Sequence, residues 1–309
     1  MGDAGMAGRA DTAALKRRLG STGVWLGTSL ASTTADENRR VAAEVERLGY
    51  TALWFGGDAA GTKEAFTQAA LLLSATDRIT VATGIASIWS RDAAAAASGA
   101  DGLNDLSSGR FLLGLGVSHS PIVAARGQNY AKPYSAMRAY LDAMESVPYP
   151  APLETPAPVV LAALRHRMLE LARDRTAGAH PYFTTAEHTA KARGILGPEP
   201  VLAPEVAVVV DTDPERARTA ARGFMATYLT LPNYTNNLRD LGWTDADFAD
   251  GGSDALVDAI VPWGGPDAIA AAVRAHHEAG ADHVCIQPVA PTAAEQLKAL
   301  SALAPVLLH

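Results

Sequence analysis

A chain of 309 residues with 48% hydrophobic side chains can build one large barrel or two ordinary domains around a sizeable core. Its formal net charge of −7 repels nucleic-acid phosphates and anionic lipid, so neither is an expected partner. The single cysteine, Cys285, has no partner for an intrachain disulfide and reads as a buried structural thiol. The N-terminal segment offers no apolar run suited to a membrane span or a signal-peptide core, and a reducing cytosol is the expected location.

Short apolar runs alternate with longer helical patterns along the chain. After a small, polar leader with a short helical pattern at Thr12–Leu19, the first strand is expected at Val24–Gly27. A helix follows at Asp36–Leu48, closed by Gly49. The second strand, Ala52–Phe55, stops at Gly56-Gly57 and leads to a helix at Lys63–Ala75. The third strand, Ile79–Ile85, precedes an Ala-rich helix at Asp92–Leu106. The fourth, Arg110–Val117, precedes a helix at Tyr134–Met144. A Pro-rich connection from Pro148 to Pro158 leads to the fifth strand, Val159–Leu164, and a helix at Arg165–Asp174. The sixth strand is placed at Gly178–Phe183, and Thr184-Thr185-Ala186-Glu187 reads as a capping box for a helix to Leu196. The seventh, Val206–Val210, is a valine run suited to burial on both faces, and Asp213-Pro214 opens the helix Pro214–Met225. A helical insertion covers Asn233–Val261, then a helix Pro266–Ala279, the eighth strand His283–Val289, and a last helix Thr292–Leu303.

Eight strands, each followed by a helix, predict an α/β chain folded as a (β/α)8 TIM barrel with a helical insertion late in the chain. Residues 1–20 are assigned to a flexible leader and 21–309 to one catalytic barrel domain. A doubly wound sheet is the competing architecture. The first strand ends in Gly27-Thr28-Ser29 rather than G-x-G-x-x-G, which disfavours it.

In a barrel the chemistry sits at the C-terminal strand ends. The residues expected there are small, hydroxylic and aromatic. They lack the His and carboxylate density of a metal site, and no G-x-S-x-G elbow is present, so metal and serine-hydrolase chemistry are set aside. Gly114-Leu115-Gly116 suits either the close approach of a flat ring or tight packing inside the barrel. Trp25, Trp54, Trp89, Tyr182 and Tyr234 are candidate walls of a substrate pocket, or core packing.

Several stretches together carry a family likeness: Leu48–Phe55, Ala82–Trp89, Gly109–His119, Gly178–Tyr182 and Gly280–Val284. In this order they resemble the luciferase-like monooxygenase superfamily, and in particular its actinobacterial branch that uses the deazaflavin coenzyme F420. The resemblance implies a bulge with a cis peptide near Gly84-Ile85, continued by Ala86 and Ser87, whose backbone supports the coenzyme ring. It places Gly116, Val117, Ser118 and His119 against the ring, and the backbone of Gly178, Ala179 and His180 around a phosphate. Arg126 and Lys132 are expected near an anionic coenzyme tail or on solvated surface. Many relatives carry an acid-His pair after the second strand. Here Gly57 and Asp58 stand in that place, so Asp58 or His119 is the candidate catalytic acid.

The implied activity is hydride transfer between reduced F420 and an activated C=C, C=N or C=O bond of a small organic substrate. An FMN-dependent monooxygenase fed by a partner reductase is one alternative. A non-catalytic barrel that binds a ligand or assembles with partners is the other. Family practice also implies a homodimer, formed through the Ala-rich helices at Lys63–Ala75 and Asp92–Leu106.

Overall fold

Every strand of this protein alternates between two apolar environments, and that alternation sets its architecture. The computed structural model describes residues 11–57, 62–149, 152–153 and 155–308. Among the described residues nine strands pair in parallel: β1 (Thr22–Trp25), β2 (Ala52–Gly56), β3 (Thr80–Ser87), β4 (Phe111–Gly116), β5 (Val159–Leu161), β6 (Gly178–Ala179), β7 (Val201–Leu202), β8 (Glu205–Val208) and β9 (Val284–Pro288). Their order is β7-β6-β5-β4-β3-β2-β1-β9-β8.

The two ends of that sheet are one piece of chain. Only Ala203-Pro204 separates β7 from β8, because proline cannot donate to the ladder. Ala203 N still donates to Ala179 O, Glu205 N to Pro181 O, and Cys285 N to Pro204 O. The stretch 201–208 therefore bonds β6 with its first half and β9 with its second, and the sheet closes on itself. The barrel expected from the sequence is present. The doubly wound alternative requires an open sheet and is excluded.

Outward-facing positions such as Val24, Leu53, Phe55, Val81, Leu113, Leu115, Leu161, Val206 and Ile286 pack against the surrounding helices. Inward-facing positions such as Trp25, Ala52, Trp54, Ala82, Leu112, Val160, Val201, Ala207 and Cys285 form a second cluster, continuous with the insertion through Tyr182, Tyr234 and Leu238. The insertion supplies the helices Pro232–Arg239, Asp245–Phe248 and Asp254–Ile260.

Several boundaries differ from expectation. The short helix Thr12–Leu19 belongs to the folded body and not to a leader: Leu15 and Leu19 are buried in the inner cluster, and Lys16 pairs with Asp282 at 3.0 Å. Residues 1–10 lie outside the described residues. The fifth and sixth strands end at Leu161 and Ala179, several residues early. The chain Val201–Leu202 pairs as a strand of its own. The helix Ala186–Leu196 is capped by Thr185 alone, whose side chain accepts from His188 N, so the reciprocal capping box is not made.

One irregularity shapes the open end of the barrel. Ala82 pairs with Leu112 and Ala86 with Leu115, so four steps along β3 match three along β4. On the other side Phe55 pairs with Thr83 and Gly56 with Ile85. One extra residue is thus inserted in β3 between Thr83 and Ile85, a β-bulge of the kind that re-aims side chains beside active sites. Thr83 pins it: its Oγ1 accepts from Gly114 N at 2.9 Å and donates to Gly114 O at 3.0 Å. A methyl group at Gly114 would lie 1.8 Å from Thr83 O, so only glycine fits beneath the bulge. The bulge expected here is present. The cis peptide expected at Gly84-Ile85 is not: the described peptide bonds are all trans, and the inserted residue alone accommodates the bend.

Candidate functional site

The middle of the barrel is filled by aromatic and polar side chains in contact. Trp54, fully buried on β2, stacks on His180 with ring centroids 4.5 Å apart and planes 15° apart. Its Nε1 donates to His283 Nε2 at 3.1 Å. His283 Nδ1 in turn donates to Gly20 O at 2.9 Å, and His180 Nδ1 donates to Ala203 O at 2.6 Å. Burial lowers both imidazoles to about 4, so both are neutral at pH 7. Burial also pushes the Cys285 thiol far up, which leaves it unreactive. His180 Nε2 and Trp25 Nε1 both lack a protein partner, and both lie within 3 Å of where a Gly84 side chain would begin.

This layer corrects two expectations. Trp54 is not a pocket wall, because His180 and the barrel enclose it completely. The turn Gly178-Ala179-His180 is not a phosphate cradle. Gly178 and Ala179 are strand residues, Gly178 N is held by Thr176 Oγ1, and His180 N donates to Leu161 O. All three residues are buried.

The mouth lies one layer higher. The Trp25 indole spans the inner faces of Gly27, Gly56 and Gly84, where added methyl groups would strike it at 2.2, 3.3 and 2.7 Å. Trp25 therefore forms the floor of the mouth. Tyr182 packs beside it, with centroids 5.1 Å apart. Tyr182 donates to Gln287 Oε1 at 2.9 Å, and its oxygen lies 2.8 Å from the Tyr228 hydroxyl. Because the one Tyr182 hydrogen is committed to Gln287, Tyr228 is the donor in the pair.

The bulge turns Ile85 up over Gly116, where a methyl group would meet Ile85 Cγ2 at 2.5 Å and Ala162 Cβ at 3.4 Å. Ile85, Val117, Ser118 and Ala162 are partly exposed and uncharged. Ser118 holds a left-handed backbone conformation, φ 58°, unusual outside glycine. Trp89 Nε1 donates to Val117 O at 2.8 Å and ties the end of β3 to that of β4. Ala86 packs in the outer layer, away from this platform, and buried Ser87 Oγ accepts from Trp89 N.

His119 follows β4, where burial holds its pKa down and a hydrogen bond to Asn233 partly offsets the shift. It packs on Tyr234 at 5.6 Å. Tyr234 is 3% exposed, wedged among His119, Tyr182, Phe183 and Tyr228, so it joins the insertion to the barrel and does not wall a pocket. Asp58 lies outside the described residues.

Two residues at this end escaped the sequence reading. Tyr228 is the last residue of the helix Pro214–Tyr228, three beyond the expected end. Glu205 is the only buried carboxylate among the described residues. Its Oε2 accepts from Phe183 N at 3.1 Å, and its Oε1 has no protein partner. Burial raises it to about 8, opposed only by that one hydrogen bond. The signal was a lone acid after Pro204 in the apolar run Val201–Val210. Among the described residues no His, Cys, Asp and Glu group could hold a metal ion, and no helix is long and apolar enough to cross a membrane.

Comparison with known proteins agrees with this fold. The luciferase-like monooxygenase family profile matches residues 19–283. A Mycobacterium tuberculosis protein named as a coenzyme F420-dependent oxidoreductase is 36% identical over 85 residues. That match spans 27% of this chain and 24% of the relative. Among solved structures, the coenzyme F420-dependent tetrahydromethanopterin reductase of Methanopyrus kandleri superposes with a TM-score of 0.73 at 16% identity, covering 94% of this chain and 98% of that one. The oxygenating constituent of 3,6-diketocamphane monooxygenase of Pseudomonas putida, in complex with FMN, superposes with a TM-score of 0.69 at 15% identity, covering 93% and 98%. At these identities the structures share the fold.

Proposed function

We propose, from the premise that this chain belongs to the luciferase-like monooxygenase family, that it is an oxidoreductase using coenzyme F420 at the barrel mouth. The observation that carries this reading is the platform made by the β3 bulge: Ile85, turned over Gly116 and beside Ala162, gives a small, uncharged surface at the strand ends. A neutral ring suits such a surface, since none of its side chains carries charge or a hydrogen-bonding group. Gly116 is required because any side chain would displace Ile85. Val117 and Ser118 edge the platform, and Tyr182, Tyr228 and Gln287 give its far side hydrogen-bonding groups. Trp25 and Tyr182 seal the lumen below, which keeps water from reaching the ring from beneath. When bound, the reduced deazaflavin would supply a hydride to an activated C=C, C=N or C=O bond. The protein would supply orientation, exclusion of water and a proton. The partial match to the mycobacterial F420-dependent relative favours the deazaflavin over FMN.

The test is a fluorescence titration of the purified chain with F420 and, separately, with FMN. The account expects saturable quenching of F420 and at least tenfold weaker binding of FMN, a difference of about 1.4 kcal/mol. Tight binding of FMN alone would make the protein a flavin monooxygenase. Binding of neither would end the coenzyme reading.

A further inference from the structure

Gln287 closes the lumen face of β9 with an amide whose backbone and side chain are both fixed. Its ladder neighbour is Ala207, and Ala207 and Cys285 belong to the inner cluster, so alternation along β9 turns the Gln287 side chain into the barrel. Pro288 follows and keeps the Gln287 backbone extended. Pro288 O in turn accepts from Gln296 Nε2 at 3.1 Å. The side chain is held by two phenols. Tyr228 donates to Tyr182 at 2.8 Å, and Tyr182 donates to Gln287 Oε1 at 2.9 Å. Ring contacts lock both: Tyr182 lies between Trp25 and Tyr228, with centroids 5.1 and 5.3 Å away, and Tyr228 packs on Phe183 and Phe224, each at 5.0 Å. With its oxygen committed to Tyr182, the amide presents Nε2 on its other side. Nε2 has no partner among the described residues, and Gln287 is partly exposed. The chain of hydrogen bonds thus starts at Tyr228 and ends in N–H donors that open on the mouth. Each bond polarises the next, which strengthens the last donor. Counting 201–208 as one strand of the closed sheet, β9 stands four strands from β4 in either direction. Gln287 therefore faces Gly116 and the platform from across the mouth.

We propose that Gln287 Nε2 holds the carbonyl oxygen of the substrate, and that the substrate is a neutral α,β-unsaturated carbonyl compound. This rests on the hydride-transfer reading above. A substrate stacked over a ring on the platform lies between that ring and Gln287. The chain of Tyr228, Tyr182 and Gln287 carries no positive charge, so it suits a neutral carbonyl oxygen and not a carboxylate. The choice between a simple ketone and a conjugated one follows from the kind of donor. An amide N–H gives a hydrogen bond and keeps its proton, and the hydroxyl hydrogens of Tyr182 and Tyr228 are committed within the chain. Reduction at a carbonyl carbon leaves an alkoxide that must be protonated at that same oxygen. Reduction at the β carbon of a conjugated carbonyl leaves an enolate, whose charge is shared between the oxygen and the α carbon and is stabilised by fixed N–H donors. In balance, the β carbon gains the hydride, the C=C pair moves to the bond between the α carbon and the carbonyl carbon, and the C=O π pair moves to oxygen. The α carbon then takes one proton from solvent, directly or by way of His119 at the end of β4, and the C=O bond re-forms. One hydride and one proton are added across C=C, the carbonyl survives, and the coenzyme leaves oxidised by two electrons.

The test uses cyclohex-2-enone and, as a matched ring without the carbonyl, cyclohexene, with the full chain and the variants Gln287→Met and Gln287→Glu. Gln287→Glu keeps an acceptor for Tyr182 and removes the N–H donors. In the coenzyme-free proteins the enone should bind the parent about tenfold more tightly than either variant, the effect of one hydrogen bond, whereas cyclohexene should bind all three within about twofold. A merely structural lesion weakens both compounds alike. The infrared carbonyl stretch of the bound enone should lie lower in the parent than in Gln287→Met. Equal enone affinity in parent and variants, a parallel loss for cyclohexene, the same carbonyl stretch in both proteins, or no binding of the enone by the parent overturns the assignment of Gln287. In the F420-loaded parent the product should be cyclohexanone, with C=C reduced and C=O intact. Cyclohexanol, or no product, overturns the conjugated class. Failure of the parent to bind F420 removes the coenzyme reading, while the affinities and the carbonyl stretch in the coenzyme-free proteins still decide what Gln287 holds.

Discussion

The two apolar regions of this barrel are built to different rules. Between sheet and helices, the strands present Val, Leu, Ile, Ala and Phe, such as Leu53, Val81, Leu113 and Ile286. Inside the barrel, the same strands present Trp25, Trp54, His180, Glu205, His283 and Cys285. The outer layer buries polar groups too: Thr189 Oγ1 lies 2.8 Å from His276 Nδ1 and Asn38 Nδ2 donates to Leu30 O, while Gln68 Nε2, Asn104 Oδ1 and Gln296 Oε1 lack a protein partner. In the lumen His180 Nε2, Trp25 Nε1 and Glu205 Oε1 are left without one. Adjacent positions on one strand thus serve different ends. The outer face secures the fold, and the inner face adds an indole, an imidazole and a carboxylate with unmet polar atoms, the carboxylate being the costliest to bury.

The sharpest way to break this contrast is at the seam between the layers. Gly114→Ala forces a methyl group against Thr83 O, backbone against backbone, where neither side can yield. The expected loss is on the order of 4 kcal/mol or more, read from urea unfolding. A loss below about 1 kcal/mol would show that the bulge is not held as described.

The next largest effect is one of pH. The folded chain holds a proton on Glu205 up to about pH 8, whereas an unfolded glutamate loses it near 4.5. Its contribution is therefore full below pH 4.5 and is lost as pH climbs to 8. The loss is about 3 to 5 kcal/mol. Glu205→Gln should remove that slope and be the more stable protein at pH 8. Parallel stability curves for the two proteins from pH 4.5 to 8 would contradict a protonated lumen acid.

The smallest of the three effects tests the independence of the layers. Leu113→Ala empties a fully buried outer position and should cost about 3 kcal/mol while leaving coenzyme affinity unchanged. A matching loss of affinity would show that the outer face also shapes the mouth.

The outer layer is the part most legible in the sequence. Alternation in runs such as Leu112–Val117 and the glycines after helices locate most strands and helices within a few residues. What escaped depends on contacts between distant segments. Val201–Leu202 is too short to show periodicity, and the chain break at Pro204 hides that one stretch closes the barrel. Trp54 was recognised as a strand residue, but its enclosure needs His180, more than a hundred residues away. Glu205 was visible as an isolated acid in an apolar run, yet only the fold shows it buried in the lumen with one oxygen unpartnered. The bulge was placed correctly at Gly84-Ile85, and the trans peptide there shows that one inserted residue is enough to turn Ile85 to the mouth.

The most direct test of the platform is to fill it. Ala162 is partly exposed at the end of β5, beside Gly116 and away from the packed outer layer. Ala162→Trp should leave the thermal midpoint within a few degrees of the parent and weaken F420 binding by at least about a hundredfold, a difference of about 2.7 kcal/mol. A parent that binds F420 and an Ala162→Trp protein that binds it equally well would place the coenzyme somewhere other than the barrel mouth.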